Sequence, residues 1–504
     1  LNIASGAVID ISAQAGGGNA GSIALSAAQG NLNTHKNLKA DSAQGVGGGL
    51  SVDAKTVAGG LHSLAEFFGL ANADGEVNIR LRGDESQAID NNDEWKASSF
   101  TLSLDNADLA VNGLIDTSAE KGGDVAIQVN GNLAVNNGAR ILAQGSGSRG
   151  GDVLLSSHAG KLAFEQGATV DVSSATNEGG KVRFRADADD VSGIAIDDGH
   201  FGGAVVGASR KVVEARKIYN DNDDKFTSSD WTNLHALAQT VTNAASAIKA
   251  RLGLGDDVDV AAALEVDRIG DYTWTQQVNF RDWATFLQVP DQFHPNDLLL
   301  TDQMAPGSIL PGSLIVRATG NLTVNKSLQD GFRIITNPAE RSLRQTVLGS
   351  RNSWGLEFTA GADLNAADAA SVISTSPADF VLGNNTKIVT GNADISVHAS
   401  HDIKFGNAGS VIYSAGRDVG HALDRHGSDV PFYVQEGEDK MLLTDTAGMA
   451  GLKMTPGDGG NVSLSAGNDI LGYANNDEQV QVIRDWFNYT DAVSEAYDGD
   501  ILYQ

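Results

Sequence analysis

Residues 150–157, GGDVLLSS, repeat a phrase already used at 122 as GGDVAIQV and used again at 179 as GGKVRFRA. Related copies begin at 20 (AGSIALSA), 48 (GGLSVDA) and 459 (GGNVSLSA). Neighbouring copies start 28 residues apart (20 to 48, 122 to 150) or 29 apart (150 to 179). Such a period belongs to stacked supersecondary units rather than to separate domains.

Within one period the chain offers three short alternating runs, DVAIQV, NLAVNN and ARILAQ of residues 124–144, parted by Gly or Asn. Each is too short for a helix and has the two-residue alternation of a strand with one buried face. Three strands per turn of chain make a coil, and coils that stack in parallel make an all-β parallel β-helix. Val125, Val153 and Val182 then fall into one inward column and Ile127, Leu155 and Phe184 into the next, while Ala126, Leu154 and Arg183 point away. At about 4.8 Å per coil, roughly fifteen coils outside the insertions make a rod on the order of 70 Å long. Its ends are open strand edges that need a cap or more chain, and continuation is expected, since neither terminus reads as a cap.

Glycine suits the corners, where the backbone needs positive φ or close approach. Asn31, Asn132, Asn321 and Asn468, each after a Gly, suit corners too, because Asn bonds readily to neighbouring backbone. Asp10 and Asp171 share the phrase Gly-Ala-x-x-Asp-x-Ser, and Asp116 sits in a variant of it. They are expected to cap equivalent turns rather than to catalyse.

Composition narrows the classes. With 59 Gly, 8 Pro and 41% hydrophobic residues among 504, the chain is too apolar for disorder, so a packed core is expected. A formal net charge of −29 argues against nucleic acid or an anionic bilayer as partner. Without cysteine there is no disulfide, zinc–thiolate site or Cys nucleophile. No apolar run is long enough for a membrane span. The start at Leu1-Asn2-Ile3 has neither Met nor a signal pattern, so a segment of a longer mature protein is expected.

GSLIVRATGNLTVNKSLQDGF at 312–332, WGLEFTAGADLNAADAASV at 354–372 and SAGRDVG at 414–420, with the repeats themselves, resemble the filamentous haemagglutinin family of two-partner-secretion exoproteins. The resemblance covers most of the chain outside 191–311. It implies a right-handed β-helix and an outer-membrane secretion partner. It also implies a secreted, cell-surface location on a Gram-negative bacterium. The family's secretion domain carries Asn-Pro-Asn, which does not occur in this sequence. Arg82, Gly83 and Asp84 form RGD, which in this family implies integrin binding; VNIRLRGD alternates like a strand that would hold the tripeptide stiffly.

Two stretches break the rhythm, giving expected domains at 1–190 (β-helix with a small insertion near 57–100), 191–311 (extra-helical insertion) and 312–504 (β-helix again). In the first insertion, Leu61, Leu64, Phe67, Phe68 and Leu70 line one side of a short helix. In the second, Leu234, Leu237, Val241, Ala245, Ile248 and Leu252 keep a 3.6-residue period over 229–252, with Ser229 to cap the start and Gly253 the end. The stripe is expected to lie on the outer face of the β-helix. An aromatic-rich loop follows, with Tyr272, Trp274, Phe280, Trp283, Phe286 and Phe293. It is expected to seal apolar surface, with sugar stacking as the sharper alternative.

Chemistry-bearing motifs are weak. Asp197, Asp198 and His200 are contiguous in a glycine-rich turn, whereas carbohydrate-active β-helix enzymes spread their carboxylates over successive coils. DNDD at 221–224 lacks the Gly and the terminal Glu of an EF-hand loop. No phosphate-binding loop and no HExxH occurs. No catalytic residue, cofactor or metal is assigned. The reading is an adhesin or structural exoprotein segment, not an enzyme: a rigid stalk or filament for adhesion, aggregation or biofilm matrix. Its expected partners are a host or neighbouring-cell surface, a matrix polysaccharide, or further copies of itself. The alternatives are a β-helix polysaccharide lyase or glycoside hydrolase, and the stick of a contact-dependent toxin system.

Overall fold

The computed structural model describes residues 1–14, 17–35, 38–69, 73–176, 178–290, 298–336, 344–418, 433–436, 439–442, 456–457 and 459–472. The chain is mainly β, built on large parallel sheets, with α-helices at Gly60–Gly69 and Ser228–Leu252 among the described residues. It divides into two units: 1–217 with 243–263 and 365–368, and 218–242 with 264–364 and 369–504.

In the first unit three parallel sheets run side by side through the sequence. The first has Ser22–Leu32, Gly49–Val57, Glu76–Leu81, Ser99–Leu104, Val125–Val129, Val153–Ser157, Lys181–Asp187 and Arg210–Asn220 in that spatial order. The second orders Gln87–Ile89, Leu109–Val111, Leu133–Val135, Leu162–Phe164 and Ile196–Phe201; the third orders Glu94–Lys96, Leu114–Asp116, Arg140–Leu142, Thr169–Asp171 and Ala204–Val206. From Val125 onward the chain visits the first, second and third sheets and returns to the first beside the strand it left.

Register aligns like residues. Val125 pairs with Val153 and Val153 with Val182; Ile127 pairs with Leu155 and Leu155 with Phe184. All six are at most 2% exposed, whereas Ala126, Leu154 and Arg183 are half-buried. The columns run back through Phe100 and Leu102, then Val77 and Ile79, to Leu50 and Val52. The short sheets contribute their own buried columns, Leu109–Leu133–Leu162 and Ile115–Ile141–Val170. Stacked aliphatic rows of this kind hold parallel sheets, which bury both faces more often than antiparallel ones.

The double glycines answer to close packing. A Cβ on Gly123 would stand 1.8 Å from the Ser98 carbonyl oxygen, and one on Gly180 1.8 Å from that of Gly151. Their partners Gly122, Gly150 and Gly179 are as tightly met, at 2.3, 2.0 and 1.6 Å from the carbonyl oxygens of Ala143, Val172 and Gly207. None of these pairs has positive φ, so of the two reasons for glycine at a corner, close backbone approach is the operative one here. The corner asparagines bond across turns: Asn132 takes Asp108 through its backbone N–H at 2.7 Å, and its Oδ1 accepts the Lys161 N–H at 2.9 Å. Asp10, Asp116 and Asp171 each accept the backbone N–H two residues on, at 3.1, 2.9 and 3.0 Å, as turn-capping carboxylates do.

The first insertion is smaller than the expected 57–100, because strands resume at Glu76. The Gly60–Gly69 helix buries Leu61, Leu64, Ala65, Phe67 and Phe68 and packs against the Gln87–Ile89 and Glu94–Lys96 strands, with Phe68 stacked on Trp95. Leu70 lies outside the described residues. Within 191–311, expected as one insertion, Ile196–Phe201, Ala204–Val206 and Arg210–Asn220 extend the three sheets of the first unit.

One feature of the first sheet was not anticipated. Its outward column Arg80, Ser103, Gln128, Ser156, Arg185 and Glu214 is buried too, and its charges are paired: Arg80 to Asp105 at 2.7 Å and Arg185 to Glu214 at 2.8 Å. Residues 365–368 lie against this face, with Gln128 donating to Asp368 at 2.9 Å and the Ala367 N–H donating to Asp105 at 3.2 Å.

The second unit repeats the plan. One sheet orders Ser313–Ala318, Gly355–Ala360, Ile395–Ala399 and Val462–Ala466, with columns Leu314–Leu356–Ile395 and Val316–Phe358–Val397 at most 2% exposed. Another orders Lys225–Phe226, Tyr272–Trp274, Leu322–Val324, Phe380–Leu382, Ile403–Phe405 and Ile470–Leu471; a third orders Val278–Asn279, Leu328–Gln329, Lys387–Thr390 and Val411–Ser414. Antiparallel pairs leave this pattern, among them Phe286–Pro290 with Leu298–Met304, Phe332–Thr336 with Arg344–Leu348 and Tyr433–Glu436 with Asp439–Leu442.

The long helix begins one residue before the expected 229, and its cap is Thr227 rather than Ser229. Asp230 accepts both the backbone N–H and the hydroxyl of Thr227 at 2.7 Å, which supplies the carboxylate half of a capping box. Gly253 ends it at φ +65. In the first unit its last turns are fixed by Arg251, which donates to the Ile194 and Ile196 carbonyls at 2.8 Å, with Ile248 buried. In the second, Trp231 stacks on Trp283 at 4.0 Å and Trp274 on Phe226 at 3.7 Å. Tyr272, Trp274, Phe280 and Trp283 are buried, which sugar stacking does not require, but Tyr272–Trp274 is a strand of the parallel stack and not part of a loop; Phe293 lies outside the described residues.

Candidate functional site

The RGD tripeptide ends the Glu76–Leu81 strand. Arg82 is half-buried and grips Asp53 with two bonds, Nε at 2.6 Å and Nη2 at 2.9 Å. The Arg82 and Gly83 N–H groups donate to the Ala54 and Lys55 carbonyls. Gly83 is buried, with the Lys55 oxygen 2.7 Å from where a Cβ would be, and Asp84 alone is exposed.

Asp197, Asp198 and His200 lie on the Ile196–Phe201 strand and are engaged separately. Asp197 pairs with Lys161 at 2.8 Å, Asp198 with Arg251, and His200 with Glu165 at 2.5 Å. At 221–224, Asp221 is buried. Its carboxylate accepts the Tyr272 hydroxyl at 2.5 Å and the Asp223 N–H at 3.0 Å. Burial first, and then the Asp221 carboxylate, push the Tyr272 hydroxyl far above its ordinary pKa. This loop is a turn anchored on the core.

Two clusters of His and carboxylate were missed. In the second unit Asp379, His401 and Asp402 place donor atoms within 4.8 Å of one another. His401 Nδ1 is 2.8 Å from Asp379, and Lys404 reaches Asp379 at 2.5 Å and Asp402 at 3.1 Å. Burial would raise the Asp379 pKa, but hydrogen bonds from Lys404 and His401 outweigh it and hold the carboxyl low; hydrogen bonds to Asp379 and Asp402 raise Lys404.

In the first unit His62, Asp90 and Asp93 form the other cluster, again within 4.8 Å. The Gly60–Gly69 helix presents His62, with Glu66 one turn on and 3.9 Å from its Nε2. Asp90 and Asp93 come from the turn after Gln87–Ile89, closed by an Asp93 N–H to Asp90 carbonyl bond of 2.8 Å. The Asp93 side chain is 2% exposed; its Oδ1 lies 2.6 Å from His62 Nδ1 and its Oδ2 accepts the Asp90 N–H at 2.8 Å. The hydrogen bond between His62 and Asp93 raises the His62 pKa. The sequence signal is present, as His-x-x-x-Glu on a helix and Asp-x-x-Asp in a turn, but nothing in it says that the two meet.

Among the described residues no helix is long and apolar enough to cross a membrane. Compared with protein-family models, curated proteins and solved structures, the chain matches none.

Proposed function

We propose that the chain is a segment of a secreted, cell-surface exoprotein in which a right-handed parallel β-helix serves as a rigid stalk or filament for adhesion, aggregation or biofilm matrix. The observation that carries this reading is the in-register stacking of like residues in three parallel sheets within each unit. A chain that visits three sheets in turn and advances by one strand per circuit lengthens its core without new topology, the property a spacer needs. The resemblance of the repeats and of 312–332 and 354–372 to the filamentous haemagglutinin family supports the same reading and extends it to two-partner export from a Gram-negative cell. Surface or matrix polysaccharide and further copies of the chain are its proposed partners. The separate pairing of Asp197, Asp198 and His200 favours this reading over a glycoside hydrolase, which needs two carboxylates converging on one bond.

Electron microscopy and small-angle scattering of the purified chain test it. An elongated particle of uniform width is expected, and a rounded one overturns the proposal.

A further inference from the structure

We infer that His62, Asp90 and Asp93 bind a divalent transition-metal ion of the zinc type. The donor set is one imidazole and two carboxylates, a borderline-soft nitrogen with hard oxygens, which suits Zn²⁺ rather than the all-oxygen shells of Ca²⁺ and Mg²⁺. The two clusters of this composition differ in one respect. At Asp379, His401 and Asp402 the ammonium of Lys404 already bridges both carboxylates, so a cation is built in. At the first cluster, among the described residues, no lysine or arginine pairs with Asp90 or Asp93. Two carboxylates therefore face a single imidazole, and a doubly charged ion balances them.

Geometry fits the same assignment. Asp93 is the fixed ligand: one oxygen is held by the Asp90 N–H and the other is directed at the imidazole, the outer support that orients ligating carboxylates. His62 and Asp90 are exposed. Donor atoms already within 4.8 Å need only small side-chain rotations to reach bonds of about 2.0–2.2 Å to one ion. The exposed side leaves room for water as a further ligand.

The test is isothermal titration of the tag-free full chain with Zn²⁺, beside His62→Ala, Asp90→Asn and His401→Ala. Both substituted first-cluster side chains are exposed, and circular dichroism checks that each variant is folded. One Zn²⁺ per chain is expected, weakened about tenfold or more in His62→Ala and Asp90→Asn and unchanged in His401→Ala. Replacing Zn²⁺ by Co²⁺ is expected to give visible ligand-field absorption that His62→Ala removes. No Zn²⁺ uptake by the wild type, equal uptake by His62→Ala and Asp90→Asn, or loss confined to His401→Ala overturns the inference. None of these results depends on whether the chain is a stalk.

Discussion

Gly151 lies so close under Gly123 that a Cβ on Gly151 would stand 2.0 Å from the Gly123 carbonyl oxygen. Backbone cannot yield as a side chain can, so the repeated double glycine is a packing requirement that recurs wherever one turn of chain passes over the last. Gly151→Ala is expected to destabilise the protein by about 3 kcal/mol, the upper end of overpacking costs. Gly30→Ala, where nothing lies within 4 Å, should stay within about 0.5 kcal/mol of the wild type. Denaturant titration distinguishes the two, and equal effects would contradict the packing account.

Val153 sits between Val125 and Val182 in a column at most 1% exposed. Val153→Ala should cost ~2 kcal/mol by loss of transfer energy and a residual cavity. Val153→Asp should abolish cooperative folding of the first unit, since a buried carboxylate without a partner is far costlier. Retention of the wild-type melting curve by Val153→Asp would show that the column is not a core.

Arg185 and Glu214 form a pair in which each side chain is at most 3% exposed. Glu214→Ala leaves the guanidinium buried and is expected to cost about 3–5 kcal/mol, whereas replacing both by Met is expected to be near neutral. Chemical denaturation of the single and double variants measures the difference.

Asp230, in the first turn of the long helix, holds the cap residue Thr227, and its titration sets a pH dependence. Burial would raise its pKa, but hydrogen bonds from Tyr219 and Thr227 prevail and place it below the ordinary 3.8. A carboxyl lowered on folding stabilises the folded state above that value and loses its contribution as pH falls through the folded pKa. Asp230→Asn should therefore be less stable by about 1 kcal/mol at pH 7. The gap should close as pH drops below about 4, as read from thermal midpoints across that range. A gap that stays constant with pH would mean that the charge is not what stabilises the cap.

Arg82 spends its guanidinium on Asp53, and Gly83 is buried. Soluble RGD peptide is expected to leave attachment of the protein to integrin-bearing cells unchanged. Competition by the peptide, lost in Asp84→Ala, would show that the tripeptide is read in spite of this pairing.

The inward residues were legible because alternation and a 28–29-residue spacing act on local sequence. Strands without the double glycine were harder to see. Glu76–Leu81 and Ser99–Leu104 continue the same columns at closer spacing; the first falls inside the expected first insertion and the second starts at its very end. In the second insertion the repeat phrase is lost while strands persist, since Arg210–Asn220 needs only alternation and a neighbour to pair with. The helix cap was misplaced by two residues because Thr227-x-x-Asp230 was passed over for a serine nearer the apolar stripe. The His62 cluster was illegible for a different reason. Its halves are separated by the Glu76–Leu81 strand, and only the packing of a helix on a turn brings them together.

The Gly60–Gly69 helix shows what the scaffold tolerates. The chain departs after Val57, folds this helix, and rejoins at Glu76 with Leu50 still opposite Val77. Excursions of this kind leave the register beneath them intact, so a foreign epitope or enzyme inserted at the exposed Ala58–Gly59 turn should be carried as cargo, provided that the helix keeps its buried Leu61, Leu64, Phe67 and Phe68.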